Sequence, residues 1–128
     1  MATLFRAMRE DQNGLPEIGP SARSLGVRPG ADVLAVLPQE LIQPRLGGLS
    51  VSPHHPTNLP YFRCPRQWGG TGKDPVWAID SSLLGADMIY RPDPNSRTHG
   101  FIEPSKPMTL DDFQKALAAT QSFWQRLP

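Results

Sequence analysis

The chain has little cysteine: Cys64 is the only one among its 128 residues. One thiol cannot form an intramolecular disulfide, and it cannot build a thiolate metal cluster within one chain. His54 and His55 are neighbours, and adjacent residues of an extended segment point to opposite sides, which is poor geometry for chelation. The sequence therefore favours folding in the cytoplasm and predicts no metal site.

Long apolar runs and a strong net charge are also missing. No segment approaches the roughly 18 apolar residues of a membrane helix. The first residues carry charges at Arg6, Arg9, Glu10 and Asp11 where a Sec signal peptide would be apolar. We therefore expect no membrane association and, if the protein is exported, a route without a cleaved Sec signal. The 13 basic and 12 acidic residues nearly balance, which excludes a polycation built to coat nucleic acid.

A composition suited to a helical bundle is lacking as well. The chain has 15 prolines and 11 glycines, which are too many for a helical bundle or a coiled coil. We therefore expect short strands, turns and long loops. The apolar share of 38% is enough for a small core. We therefore expect residues 1–128 to form a single α+β domain.

Acidic residues are absent between Glu40 and Asp74. The basic residues and histidines in that stretch are Arg45, His54, His55, Arg63, Arg66 and Lys73. A local charge of about +4 is what an anion site requires. Three interpretations stay open: chance clustering in a loop, an enzyme's anionic substrate, or a non-catalytic module that binds nucleic acid or phosphate.

Alternating patterns predict several strands. Residues 3–8 alternate and would hold Arg6 in a sheet. Residues 47–53 form a second strand, with Leu49 and Val51 on one face and Ser50 and Ser52 on the other. Further short strands are expected at residues 31–37, 76–79, 87–91 and 98–103, the last three in antiparallel pairs.

The C-terminal residues change to a helical period. Apolar residues from Phe113 to Leu127 follow a helix stripe, which we expect to lie in the core. Thr109 supplies the N-cap, and Asp111 and Asp112 favour the positive end of the helix dipole. Between strands, residues 53–73 form a loop of about 20 residues, a length typical of functional or mobile loops, so we expect it to flank a ligand.

An Arg, a serine-bearing strand and a Glu, in that order, suit cleavage of the nicotinamide–ribose bond of NAD. That reaction builds positive charge on the ribose ring. Arg6 would bind pyrophosphate or ribose oxygens, Ser50 and Ser52 would fix the ribose, and the Glu103 carboxylate would stabilise the cation. Each residue alone also fits a plainer role as a solvated or ion-paired side chain.

Several segments resemble known transferases. Leu4-Phe5-Arg6-Ala7 resembles the opening strand of ADP-ribosyltransferases, and residues 48–52 resemble their serine-bearing strand. Residues 98–108 with the following helix are similar to the C-terminal part of ADP-ribosyltransferase-like toxins delivered by bacterial type VI secretion. The resemblance implies an ADP-ribosyltransferase-like fold with a split, strongly curved, mostly antiparallel β-core, and NAD as cosubstrate. It also implies a toxin that modifies a macromolecule in the bacterial cytoplasm, inhibits growth and is restrained by an immunity protein.

The resemblance leaves two candidates for the catalytic residue. Glu103 matches transferases that carry the Arg-Ser-Glu set, whereas His99 matches the secreted toxins, which need not have a glutamate there. Tyr61 and Trp68 on the long loop would stack on nicotinamide or adenine, or pack the loop onto the core. Protein, RNA and small-molecule acceptors stay open, and so does NAD hydrolysis in the same site.

Overall fold

The computed structural model describes residues 2–128 and contains eight strands and one α-helix in that part of the chain. The elements are β1 (Thr3–Ala7), β2 (Leu41–Ile42), β3 (Leu49–Pro53), β4 (Val76–Asp80), β5 (Met88–Pro92), β6 (Gly100–Pro104), β7 (Met108–Thr109), α1 (Leu110–Ala119) and β8 (Gln125–Arg126). Six strands form one sheet in the order β5-β6-β3-β1-β4-β8, and β2 pairs with β7. All these pairings are antiparallel. The structure confirms a small α+β domain with a mostly antiparallel sheet and a C-terminal helix.

The ladder between β1 and β3 is short, and this opening positions the candidate site. β1 pairs with β4 along all five of its residues, but it pairs with β3 only at Leu4↔Pro53 and Phe5↔Ser52. The first part of β3 pairs with β6 instead. β3 therefore joins two halves of the sheet and separates from β1 beside Arg6.

The main core lies between the sheet and α1. Leu4, Leu49 and Trp77 from the sheet are buried with Phe113 and Leu117 of the helix. Alternation along β3 places Leu49 and Val51 in this core, as the sequence predicts.

A second apolar cluster anchors the long loop. Leu59 and Cys64 of the loop pack with Phe5 of β1 and Val76 of β4. These contacts hold residues 59–64 over the sheet, next to the opening between β1 and β3.

The helix is shorter than the apolar stripe predicts. Its N-cap is confirmed, since the Thr109 hydroxyl accepts a hydrogen bond from the Asp112 N–H at 3.1 Å. The helix ends at Ala119, where the Thr120 hydroxyl donates to the Leu117 carbonyl and accepts from the Trp124 indole. The chain then makes a short turn and joins the sheet as β8, which leaves Phe123 46% exposed. Within residues 2–128, no helix has the length and hydropathy of a membrane span.

Residues 31–37 alternate like a strand but do not form one, which corrects the sequence prediction. Val33 and Ala35 are buried while Leu34 and Val36 are exposed, as expected of a strand. The backbone groups bond locally instead: the N–H groups of Val36 and Leu37 donate to the Glu40 carboxylate. Such side-chain acceptors compete with a sheet ladder.

The alternation along β3 can be tested with two neighbouring substitutions. Leu49→Ala should lower the free energy of unfolding by about 2–5 kcal/mol, because it leaves a cavity in the core. Ser50→Ala, on the opposite face, should change it by less than about 0.5 kcal/mol. Urea unfolding of the two variants measures the difference. A larger loss of stability in Ser50→Ala than in Leu49→Ala would mean that the faces of β3 are exchanged.

Candidate functional site

A cavity of about 210 Å³ lies at the opening between β1 and β3. Its polar and aromatic lining comes from the sheet, from the segment after β1, from the long loop, and from the segment between β5 and β6. Those residues are Arg6, Arg28, Asp32, Ser50, Ser52, Phe62, Arg63 and His99. The long loop therefore borders the cavity, as its length predicts.

Arg6 is the most buried charge of the cavity, with 7% of the residue exposed. Its Nε and Nη2 donate to the Ser24 carbonyl at 3.2 and 2.9 Å, and Nη1 donates to the Ser50 carbonyl at 2.8 Å. Nη2 also lies 3.4 Å from the carbonyls of Ser21 and Ala22. All these acceptors are neutral. Nη1 makes one hydrogen bond within residues 2–128, so its second N–H is available for a ligand.

Burial lowers the pKa of Arg6 to about 10. The negative charge of Asp32 opposes this shift, whereas the positive charges of Arg63 and Arg28 add to it. Arg6 nevertheless remains protonated at neutral pH. The site thus holds a desolvated positive charge, and no carboxylate of residues 2–128 contacts it directly.

Two further arginines line the cavity, and only one of them has an acidic partner. Arg28 forms an ion pair with Asp32, with Nη2 2.9 Å from Oδ1. The half-buried Arg63 makes no ion pair within residues 2–128, and its guanidinium carbon lies 5.4 Å from the centre of the Phe62 ring. Three arginines against one aspartate leave two positive charges in excess. This arrangement favours an anionic ligand.

The two serines predicted for the site are both beside Arg6. Ser50 is half-buried and Ser52 is buried, and both line the cavity. The structure therefore brings Arg6, Ser50 and Ser52 together at one cavity.

His99 lies where the cavity meets an open groove of about 610 Å³, and it lines both. Its Nδ1 is 3.0 Å from Oδ2 of Asp93. Its ring packs edge-on against Phe101, with 4.6 Å between the ring centres. The hydrogen bond from His99, followed by one from the Asn95 N–H, lowers the pKa of Asp93. An oriented imidazole with an ionised carboxylate thus stands at the rim of the cavity.

Glu103 is not brought together with Arg6 and the serines. It is 2% exposed and does not line the cavity. Its Oε2 accepts from Nε of Arg91 at 2.9 Å and from the backbone N–H of Arg45 at 3.0 Å. Arg45 has a φ of 69°, in the left-handed region. Glu103 therefore fixes a neighbouring strand and a turn.

The aromatic candidates on the long loop also lie outside the cavity. Tyr61 is 71% exposed and packs edge-on against Phe62, with 5.7 Å between ring centres. Trp68 packs against the second apolar cluster. The aromatic ring at the cavity is Phe62, beside Tyr61 in the sequence. The acid-free stretch pointed to Arg63, but no sequence pattern marked Arg28 or Asp32.

One comparison with known proteins gives a match. The sequence model of the Tse2 ADP-ribosyltransferase toxin family matches residues 2–125, which include every residue of the cavity. Neither the curated proteins nor the solved structures give a match.

A structural role for Glu103 can be separated from a chemical one. Glu103→Gln should lower the free energy of unfolding by about 1–3 kcal/mol, because it removes the charge that pairs with Arg91 in a buried place. The matched control is Glu10→Gln, whose partner Arg126 forms an exposed pair, and its cost should be below about 1 kcal/mol. Chemical denaturation compares the two. Unchanged stability with lost enzymatic activity would instead assign Glu103 to the chemistry.

Proposed function

The chain belongs to the Tse2 ADP-ribosyltransferase toxin family, and we propose that it takes NAD as cosubstrate and transfers ADP-ribose to an intracellular macromolecule. In this proposal the domain has the ADP-ribosyltransferase fold, and the cavity between β1 and β3 is the NAD site. The transfer breaks the bond between nicotinamide and ribose. Modification of the acceptor in a bacterial cytoplasm inhibits growth.

The observation that carries this proposal is the buried, uncompensated charge of Arg6. Burying a charge is costly unless it is paired, and the hydrogen-bond partners of Arg6 within residues 2–128 are neutral carbonyls. A pyrophosphate at the cavity would supply the missing negative charge to Arg6 and to Arg63. Guanidinium groups bind phosphate oxygens through charge-assisted hydrogen bonds.

The size of the cavity fits part of NAD. Pockets that enclose drug-sized ligands measure about 300–1,000 Å³, so about 210 Å³ accommodates only a portion of a dinucleotide. We assign the cavity to the pyrophosphate and the ribose on its nicotinamide side, with the Ser50 and Ser52 hydroxyls beside that ribose. Phe62 offers a ring face or edge for contact with a flat heterocycle.

A phosphate-binding module without catalysis is the competing function. It would use the basic loop as a contact surface, and its binding would weaken steeply with added salt. The concave site with a buried charge favours a small anionic substrate instead. A surface that binds phosphate through exposed charges does not require a buried arginine. Release of nicotinamide from NAD distinguishes the two functions.

The direct test uses NAD labelled on its adenylate part. The protein is incubated with labelled NAD and a cell lysate, and the product is treated separately with protease and with nuclease. We expect label in a macromolecule together with free nicotinamide, and loss of the label under one treatment identifies the class of acceptor. Failure to release nicotinamide under any condition would contradict the proposal.

Two arginines of the same loop test the NAD site. Arg63→Gln should weaken NAD binding by about 10- to 100-fold, because it removes one charge-assisted contact of about 1.5–3 kcal/mol. Arg66→Gln removes the same charge from an exposed residue outside the cavity and should change binding little. Isothermal titration with NAD compares the two variants. Equal loss in both would indicate a general electrostatic effect.

Growth in a bacterial host tests the toxin function. Expression of the wild-type chain in the cytoplasm should arrest growth, and Arg63→Gln should relieve the arrest more than Arg66→Gln does. We further propose an immunity protein that covers the cavity mouth near Tyr61 and Phe62 with an acidic surface, because opposite charge favours association there. Colony counts with and without induction measure the effect. Harmless overproduction of active wild-type protein would contradict this function.

A further inference from the structure

The hydrogen bond between Asp93 and His99 gives the site a group suited to removing a proton. His99 lines both the cavity and the neighbouring groove, so it stands between the two. The groove is formed in part by His54, Tyr90 and Arg97. A molecule that enters along the groove therefore meets His99 before it reaches the cavity.

The segment between β5 and β6 holds this pair in place. The N–H of Asp93 donates to the His99 carbonyl at 3.1 Å, and Oδ1 of Asp93 accepts the N–H of Asn95 at 2.9 Å. Phe101 packs against the imidazole. Backbone, carboxylate and ring contacts together fix the orientation of His99.

The contact also defines which ring nitrogen is basic. An ionised carboxylate can only accept a hydrogen bond, and the lowered pKa of Asp93 means that it is ionised at neutral pH. Nδ1 of His99 must therefore carry the hydrogen. In the neutral ring this leaves the lone pair on Nε2, which makes no hydrogen bond within residues 2–128.

We propose that His99 is the general base for the acceptor and that the acceptor atom is a hydroxyl oxygen, an inference that rests on the proposed transfer from NAD. The bond between C1′ of the ribose and the nicotinamide nitrogen breaks, and nicotinamide leaves with the electron pair. The acceptor oxygen forms the new bond to C1′, and its proton passes to Nε2 of His99. Asp93 is a positioning residue that stabilises the resulting imidazolium, and the proton then leaves to solvent.

The charges of the site favour a hydroxyl over the other common acceptors. A carboxylate has no proton to lose at neutral pH, so a base would serve no purpose. A guanidinium would be repelled by Arg6 and Arg63, neither of which forms an ion pair within residues 2–128. A neutral hydroxyl avoids both difficulties, and its high pKa requires a base.

Methanol is a suitable probe for a hydroxyl acceptor. The wild-type protein with NAD and methanol should form O-methyl-ADP-ribose, detected by mass spectrometry, whereas the guanidine agmatine should give no adduct. His99→Asn and Asp93→Asn should lower the kcat of nicotinamide release by about 100-fold, with the KM for NAD nearly unchanged. Asp80→Asn is the matched control, since Asp80 also accepts a backbone N–H two residues on but has no hydrogen bond to a histidine within residues 2–128.

Azide separates a base from a structural support. Azide has no proton to remove, so it should accelerate the His99→Asn and Asp93→Asn proteins far more than the wild type. Slow variants that azide does not accelerate, or variants as fast as the wild type, would overturn the dyad and leave NAD use standing. Adducts with agmatine but not with methanol would overturn the hydroxyl assignment. A folded wild type that releases no nicotinamide would overturn the proposed function and the dyad with it.

Discussion

The buried guanidinium of Arg6 is the contact on which this site depends. The ladder between β1 and β3 stops at Phe5, and Arg6 continues the connection with its side chain by donating to the Ser50 carbonyl. The same group holds the carbonyls of the turn at residues 21–24. One charge thus joins two strands and a turn around the cavity. Since a buried charge without a carboxylate partner is costly, the site is arranged for an anion before any ligand arrives.

A second buried ion pair supports the other rim of the cavity. Glu103 binds Arg91, the Arg91 guanidinium lies 5.0 Å from the centre of the Phe101 ring, and that ring packs against His99. The carboxylate that the sequence suggests for catalysis is therefore connected to His99 through two intervening side chains. A glutamate at the end of a late strand is not enough to assign chemistry, because strand position does not reveal which cation stands across the ladder.

The sequence predicts the features of the site that depend on residues close together in the chain, and it does not predict those that depend on tertiary contacts. The sequence predicts the strands that carry Arg6, Ser50 and Ser52, and a strand's period of two residues separates the two serines from Leu49 and Val51 in the core. Arg28 and Asp32 were missed because they form their own ion pair in an irregular segment and reach the cavity only through the fold. The helix end at Ala119 was missed for a similar reason. The apolar spacing continues to Trp124. The helix nevertheless ends earlier, because the Thr120 hydroxyl donates to the Leu117 carbonyl and the following residues pair with β4 as β8.

In the proposed transfer, the cavity determines the use of NAD and the groove determines the choice of acceptor. The cavity carries the excess positive charge and stands on strands held by the core, so changes there alter the use of an anionic substrate. The groove is bordered by the exposed segment between β5 and β6, whose contacts are mostly within itself. Exposed segments tolerate substitution better than strands do. In the proposed transfer, the acceptor can therefore change through residues 94–98 while Arg6, Asp93 and His99 stay the same.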